Sequence, residues 1–384
     1  MSEAAVHNCA KRVLFLTLFG DLRRGGQHSL LLLASRMDRS RYEPTVAVPE
    51  EGALAEALRE HGIETHVFGS WPHPLRQAPW VTLEAAFRLR QLIRQLRPDV
   101  IHTDAPRLAH LAVLAGWDIR RVMHLRVSTF DGFSDTLLAL HSHAMIAISQ
   151  GVADRFLRYP ERIRDKIHIV YNGVDLDRFR PRIQKECASL RLELGLSKKD
   201  RVVTMLAAFV PFKRHLFIAQ AWAEVMRRIP ARLILAGSGD ETLQQQVVER
   251  LTQLGIRESV LILPPTSRPE ELLGCADVNI LASIRDEGLG RVIPEAAACG
   301  VPSIAADAPG VRETILPGLT GVLLPADSTP ERWGEEIAAL LKDKKRRGQL
   351  SASALTFARD RFSAGHYCRE VMKVYDQVLE REKG

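Results

Sequence analysis

Short apolar runs alternate along the chain with longer segments in which apolar positions recur every three or four residues. Runs such as RVLFLTLF, TVAV, VMHL and AMIAIS in the first half, and VVTMLAA, LILA, VLIL and VNILA in the second, are bounded by turn residues. Such runs read as strands and the longer periodic segments as helices. Their alternation predicts βαβ units feeding parallel sheets, whose strands are covered on both faces and need no in/out alternation. In the first half, strands are expected at 12–19, 45–48, 100–102, 122–126, 144–149 and 168–171, with helices such as 27–37 and 83–96 between them. In the second half they are expected at 201–207, 231–236, 260–263, 278–282 and 302–305. The run YNGVDLDRFRP interrupts the rhythm with an Asn-Gly turn signal and a closing Pro, so the domain boundary falls there. The expected division is 1–178, 179–363, and a closing amphipathic helix in 364–384 that packs back towards the first domain and carries Tyr367, Val371, Val374, Tyr375 and Leu379.

A length of 384 residues fits two α/β cores better than one. Apolar and charged fractions of 46% and 26% are those of ordinary globular chains, which excludes the disordered and fibrous classes. The net charge of +7 is spread among interleaved acids rather than gathered into a basic block, so no nucleic-acid partner is expected. Cys9, Cys187, Cys275, Cys299 and Cys368 form neither a C-x-x-C pair nor a disulfide framework, and a reducing, cytoplasmic setting is expected. No apolar stretch reaches the roughly 18 residues of a membrane span, and the N-terminal segment lacks a cleavage signal. Any membrane contact is therefore expected to be peripheral, at the inner face. The 83–96 helix sets Arg88, Arg90 and Arg94 beside Phe87, Leu89, Leu92 and Ile93, a pattern shared by membrane-surface helices and, more commonly, by helices packed on a sheet with a solvated basic side.

The segment EGLGRVIPE sets Glu287 and Glu295 seven residues apart, with Gly288 and Gly290 just after the first, between a strand and a helix. A loop of this kind presents backbone N–H groups to an oxygen-rich or anionic ligand, and its glycines permit close approach. Glu295 reads equally as an acceptor for a ribose diol and as a carboxylate that complements the helix start.

From Glu287 onward, EGLGRVIPEAAACGVPSIAADAPGVRETILPGLTGVLLP resembles the E-x7-E segment of retaining glycosyltransferase family 4. GDLRRGGQHSLLLLASRM, RPDVIH, IAISQGVADRF, IVYNGVDLDRFRP, LILAGSGDETL and LLGCADVNILAS extend the likeness in order over nearly the whole chain. The resemblance implies a GT-B fold of the α/β class, with two Rossmann-like domains and parallel sheets facing across a cleft. The first domain would bind the acceptor and the second the nucleotide sugar. It implies transfer from a UDP- or GDP-sugar to a glycan or lipid-linked acceptor hydroxyl, with no cofactor and no metal. Glu295 would hold the ribose, and Glu287 the donor sugar. The amides of Gly288, Leu289 and Gly290 would line sugar and diphosphate, which Gly25 and Gly26 would cover from the other side. His124 stands where members carry a histidine that touches the donor sugar, although a lone histidine at a strand end also serves structure. His102 and His28 are cleft-lining candidates only.

The chain departs from the family's Arg-x4-Lys phosphate pair. It reads AAFVPFKRH, with Lys213 in place but Ala208 where Arg is expected, and Arg214 is a candidate substitute. Asp175-Leu176-Asp177 has the D-x-D form of a metal motif but lies in the linker run and reads as turn chemistry. GSGDET lacks the third glycine of a dinucleotide fingerprint. The alternatives are a GT-B-fold sugar-nucleotide epimerase, a phosphorylase-like enzyme with an unidentified cofactor lysine, and a catalytically weak sugar-nucleotide binder.

Overall fold

The computed structural model describes residues 10–22, 24–69, 71, 79–127, 131–285 and 287–380. The chain forms two compact units, one of Met1–Gly173 with Ala364–Gly384 and the other of Val174–Ser363.

The first unit is built on a seven-stranded sheet: β1 Lys11–Leu16, β2 Tyr42–Val48, β3 Glu64–Val67, β4 Val100–Thr103, β5 Arg120–Leu125, β6 Ala144–Ala147 and β7 Ile167–Ile169. The spatial order is β3-β2-β1-β4-β5-β6-β7, and every pairing is parallel. Val13, Leu14, Phe15 and Leu16 are all buried, which is why this apolar run shows no alternation. Odd and even positions feed two different cores. Val13 and Phe15 join Leu30 and Leu33 of the Gly25–Arg36 helix, together with Tyr367, Val371 and Tyr375 of the Ala364–Glu380 helix. Leu14 and Leu16 join Leu89 and Ile93 of the Pro79–Leu96 helix and Leu108 of the Pro106–Ala115 helix. Each such side chain contributes about 1.5–3 kcal/mol on leaving water. The Ala364–Glu380 helix is pinned further by Asp376, which accepts from Tyr42 Oη at 2.6 Å and from Arg41 Nη2 at 2.8 Å.

The second unit carries β8 Val202–Leu206, β9 Arg232–Ala236, β10 Val260–Leu263, β11 Val278–Leu281, β12 Ser303–Ala306 and β13 Gly321–Leu324, in the order β10-β9-β8-β11-β12-β13, again all parallel. Trp222 and Trp333 are completely buried in its core. Trp222 solves its polar problem by donating Nε1–H to Ser259 Oγ at 2.9 Å.

Two expectations need correction. Strands β3 and β13 went unseen: ETHV, half exposed, has no apolar run to reveal it, and GVLL, although apolar and largely buried, is only four residues long. Cys187 and Cys275 are disulfide-bonded, with Cα atoms 5.2 Å apart and a sequence separation of 88. The Gln184–Glu193 helix and the turn after Pro269–Gly274 bring them together, and linear spacing carries no trace of that.

Candidate functional site

In open parallel sheets, ligands gather outside the carboxyl ends of the strands, where the strand order reverses. In the second unit that point lies between β8 and β11. The chain leaving β8 ends in the 3-10 turn Pro211–Lys213, and the loop leaving β11 carries Glu287. Lys213 Nζ donates to Glu287 Oε2, and the two side chains are only 15% and 13% exposed. An ion pair so removed from water is held by its partners rather than by solvation, so removing one partner strands the other.

After Glu287 the loop is fixed from inside. Leu289 is buried, and Gly290 adopts φ +74°, a left-handed conformation that other residues avoid. The turn Gly310–Glu313 lies against the same loop so closely that a Cβ at Gly310 would fall 2.2 Å from the Gly288 carbonyl oxygen. The Val292–Ala298 helix then carries Glu295, which accepts from Arg291 Nη2 at 3.0 Å. Burial pushes the Glu295 carboxyl above its ordinary range, with Arg291 pulling the other way.

Arg214 is turned to other partners. It opens the His215–Arg228 helix in a left-handed conformation, donates Nη1–H to the Ala326 carbonyl at 3.2 Å, and lies 3.6 Å over the Phe217 ring. His215 stacks on Phe209 with centroids 4.1 Å apart. Burial, and then the charge of Lys213, lowers its pKa from 6.5 to about 4. Asp175 Oδ1 accepts the N–H groups of Asp177 and Arg178 at 3.0 and 3.4 Å, so the D-x-D run serves its own turn. Asp240 of GSGDET caps the Glu241–Gln253 helix through Thr242 N at 2.8 Å.

In the first unit the order reverses between β1 and β4. Gly25 and Gly26 open the Gly25–Arg36 helix beside that point. Thr17, just after β1, donates to Asp104 Oδ2, just after β4, at 2.7 Å, and Gln27 Nε2 lies 3.2 Å from Thr17 Oγ1. His124 is placed deeper. It is fully buried within β5, with Nδ1 3.2 Å from His102 Nε2, while His102 Nδ1 lies 2.6 Å from Tyr375 Oη. Burial, reinforced by Arg126, holds both rings neutral, lowering His102 to about 3. In this arrangement His124 has no surface to offer a ligand. The residue that reaches the edge is Arg126, directly after β5.

A family model described as Glycosyltransferase Family 4 matches residues 23–178, and one described as Glycosyl transferases group 1 matches residues 189–356. The chain belongs to glycosyltransferase family 4. Among its curated relatives, the D-inositol 3-phosphate glycosyltransferase of Nocardia farcinica is 34% identical over 225 residues, covering 56% of this chain and 48% of the relative. The N-acetyl-alpha-D-glucosaminyl L-malate synthase of Bacillus anthracis is 29% identical over 217 residues, 56% of this chain and 55% of the relative. The chain thus spans about half the length of the curated relatives it matches. Among solved structures, the Anabaena HepE structure in complex with UDP and glucose superposes with a TM-score of 0.83 at 22% identity, covering 96% of this chain and 100% of that one. The two parallel sheets of this family 4 chain are those of the GT-B fold, as the sequence led us to expect.

The polar cluster of Thr17, Gln27, Asp104 and Arg126 was not picked out from the sequence of this family 4 member. The signal was present: Asp104 and Arg126 are the first charged residues after two apolar strands of a parallel sheet.

Proposed function

We propose that this chain transfers a sugar from a nucleoside diphosphate sugar, a UDP- or GDP-sugar, to an acceptor hydroxyl with retention at the anomeric carbon. The observation that carries this reading is the Lys213–Glu287 pair, set at the β8/β11 switch point next to a glycine-bearing loop and Glu295. In the reaction the bond between the anomeric carbon and the diphosphate oxygen breaks, the acceptor oxygen takes its place on the same face, and the acceptor hydroxyl's proton passes to the leaving diphosphate. Lys213 meets the charge that grows on the leaving diphosphate, an arrangement worth roughly 3–4 kcal/mol per well-placed donor. Glu287 holds hydroxyls of the transferred sugar, and Glu295 holds the ribose once Arg291 shares it. The amides of Gly288, Leu289 and Gly290 line sugar and diphosphate. The UDP bound by the Anabaena neighbour supports a nucleotide donor. A role for Arg214 would require its guanidinium to leave Ala326 and Phe217. The test is incubation with UDP-, GDP- and ADP-sugars in excess EDTA. Slow release of one nucleoside diphosphate is expected; binding without any release, with or without acceptor, would make the chain a sugar-nucleotide binder.

The acceptor is read as a glycan or lipid-linked sugar, in polysaccharide, lipopolysaccharide or glycolipid assembly at a membrane face. Among the described residues no helix is long and apolar enough to cross a membrane. The Pro79–Leu96 helix instead packs one face inward through Leu89 and Ile93 and leaves Trp80, Leu83 and Phe87, at spacings of three and four, 73%, 64% and 60% exposed, with Arg90 and Arg94 further along the exposed side. This supports peripheral contact with an anionic bilayer. Flotation with anionic vesicles should carry the wild type but not Leu83→Glu; equal flotation of both would remove this support.

A further inference from the structure

Arginines of the first unit that leave water find partners. Buried Arg121 donates to the carbonyl oxygens of Gly116, Trp117, Ile119 and His141 at 2.9–3.0 Å. Buried Arg155 is paired with Asp135 and donates to Val127 O at 2.8 Å. Arg107 and Arg126 are the exceptions, each half-buried with an Nε that finds no partner, and Arg126 is the one that lies over the start of the Gly25–Arg36 helix. The Arg126 Nε is shut off from solvent, and the side chain's one hydrogen bond among the described residues is a long one, 3.4 Å, from Nη1 to Asn172 Oδ1. No carboxylate among the described residues pairs with it. Withdrawing a guanidinium from water without a counter-charge is costly, and proteins avoid it unless something else supplies the charge.

Its surroundings compensate that charge only in part, through the neighbouring Asp104. Asp104 spends Oδ2 on Thr17 and Gln27, and burial raises its carboxyl while Arg126 lowers it. His102 and His124 behind it are neutral. Its position is that of a ligand-binding side chain. It leaves the carboxyl end of β5, next to β4 and the β1/β4 reversal, and lies over the start of the Gly25–Arg36 helix. A Cβ at Gly26 would sit 3.3 Å from Arg126 Cδ and 3.6 Å from Nε, so the glycine gives the side chain its room.

We propose that Arg126 is a substrate-positioning residue that binds an anionic group, a phosphate or a carboxylate, of the donor or of the acceptor at the carboxyl edge of the first sheet. This rests on the transferase reading and adds to it a cation that the motifs did not assign. The guanidinium gives two N–H groups to the anion in the planar, bidentate manner that a lysine cannot reproduce.

The experiment uses the full chain and the variants Arg126→Gln, Arg126→Lys and Glu295→Ala. It measures Kd for UDP, GDP, uridine, guanosine and inorganic phosphate by titration calorimetry, with folding checked by circular dichroism. Losing one bidentate anion contact costs about tenfold or more in affinity. If the anion belongs to the donor, Arg126→Gln weakens the preferred nucleoside diphosphate by that factor and leaves the nucleoside unchanged. If it belongs to the acceptor, the nucleoside diphosphate is unaffected, but phosphate binding to the nucleotide-saturated protein is lost. In either case Arg126→Lys recovers part of the loss. Unchanged binding of every anion in Arg126→Gln overturns the proposal, and so does an equal loss for nucleoside and nucleoside diphosphate. Should Glu295→Ala lose nucleotide while Arg126→Gln loses nothing, the donor site stands and Arg126 falls alone. Should the wild type bind phosphate through Arg126 but no nucleotide, the transferase reading falls and the anion site stands.

Discussion

The carboxyl edges of the two sheets handle charge in opposite ways. In the second unit each charge near the strand reversal already has a partner: Lys213 holds Glu287, Arg291 holds Glu295, and Arg178 holds Glu270 at 2.8 Å. In the first unit burial keeps His102 and His124 neutral, and the Arg126 guanidinium has no ion pair among the described residues. An edge assembled from ion pairs keeps its geometry with no ligand present, but an incoming diphosphate must displace a carboxylate from its lysine. An edge with one unmatched cation holds less structure and more attraction. The contrast teaches that preorganisation and electrostatic pull can be divided between two sheets of the same plan.

The largest effect should come from breaking the second edge. Lys213→Ala is expected to lower kcat by about 100-fold or more, because it removes a donor aimed at developing charge and strands Glu287. Arg214→Ala should stay within about threefold, since its guanidinium is committed to Ala326 and Phe217. Steady-state kinetics on both variants decides it, and equal large losses would mean that the two cations share the leaving group. Next in size, Glu295→Ala should raise the donor KM about tenfold with kcat little changed, because ribose contacts are the same in ground and transition states. A fall in kcat alone would move Glu295 from ribose to chemistry.

The smallest expected effect is one the two units share. His102 in the first unit and His215 in the second have folded-state pKa values lowered from 6.5 to about 3 and about 4 by burial. The unfolded chain therefore binds their protons first as the pH falls. Their contribution to stability is complete above about 6.5 and is lost progressively towards 4 and 3. Urea midpoints measured across this range should fall with acid, and His102→Gln and His215→Phe should each flatten the decline. An unchanged slope in both variants would show that these rings do not carry it.

Much of this could be read from the chain. Strands such as VLFL and VNIL announce themselves because a strand buried on both faces must be apolar throughout. The E-x7-E loop is a local feature, with its acids, glycines and helix contiguous in sequence. What escaped the reading depends on distance. ETHV is half exposed and has no apolar signature, and Cys187 and Cys275, 88 positions apart in sequence, meet only once the chain between them has folded. His124 lies within β5 and is fully buried, while Arg126 follows directly after the strand's last residue, a difference that shows only once the strand's depth in the sheet is known.

The central claim is that Lys213 is a diphosphate ligand held in waiting by Glu287, and the variant Glu287→Gln tests it most directly. Calorimetric titration of the preferred nucleoside diphosphate, which lacks the transferred sugar that Glu287 would hold, separates the two residues. The account predicts that Glu287→Gln binds it as tightly as the wild type or a few-fold more tightly, while Lys213→Ala binds it about tenfold more weakly. If Glu287→Gln weakens binding as much as Lys213→Ala does, the pair is a structural strut and the account is contradicted.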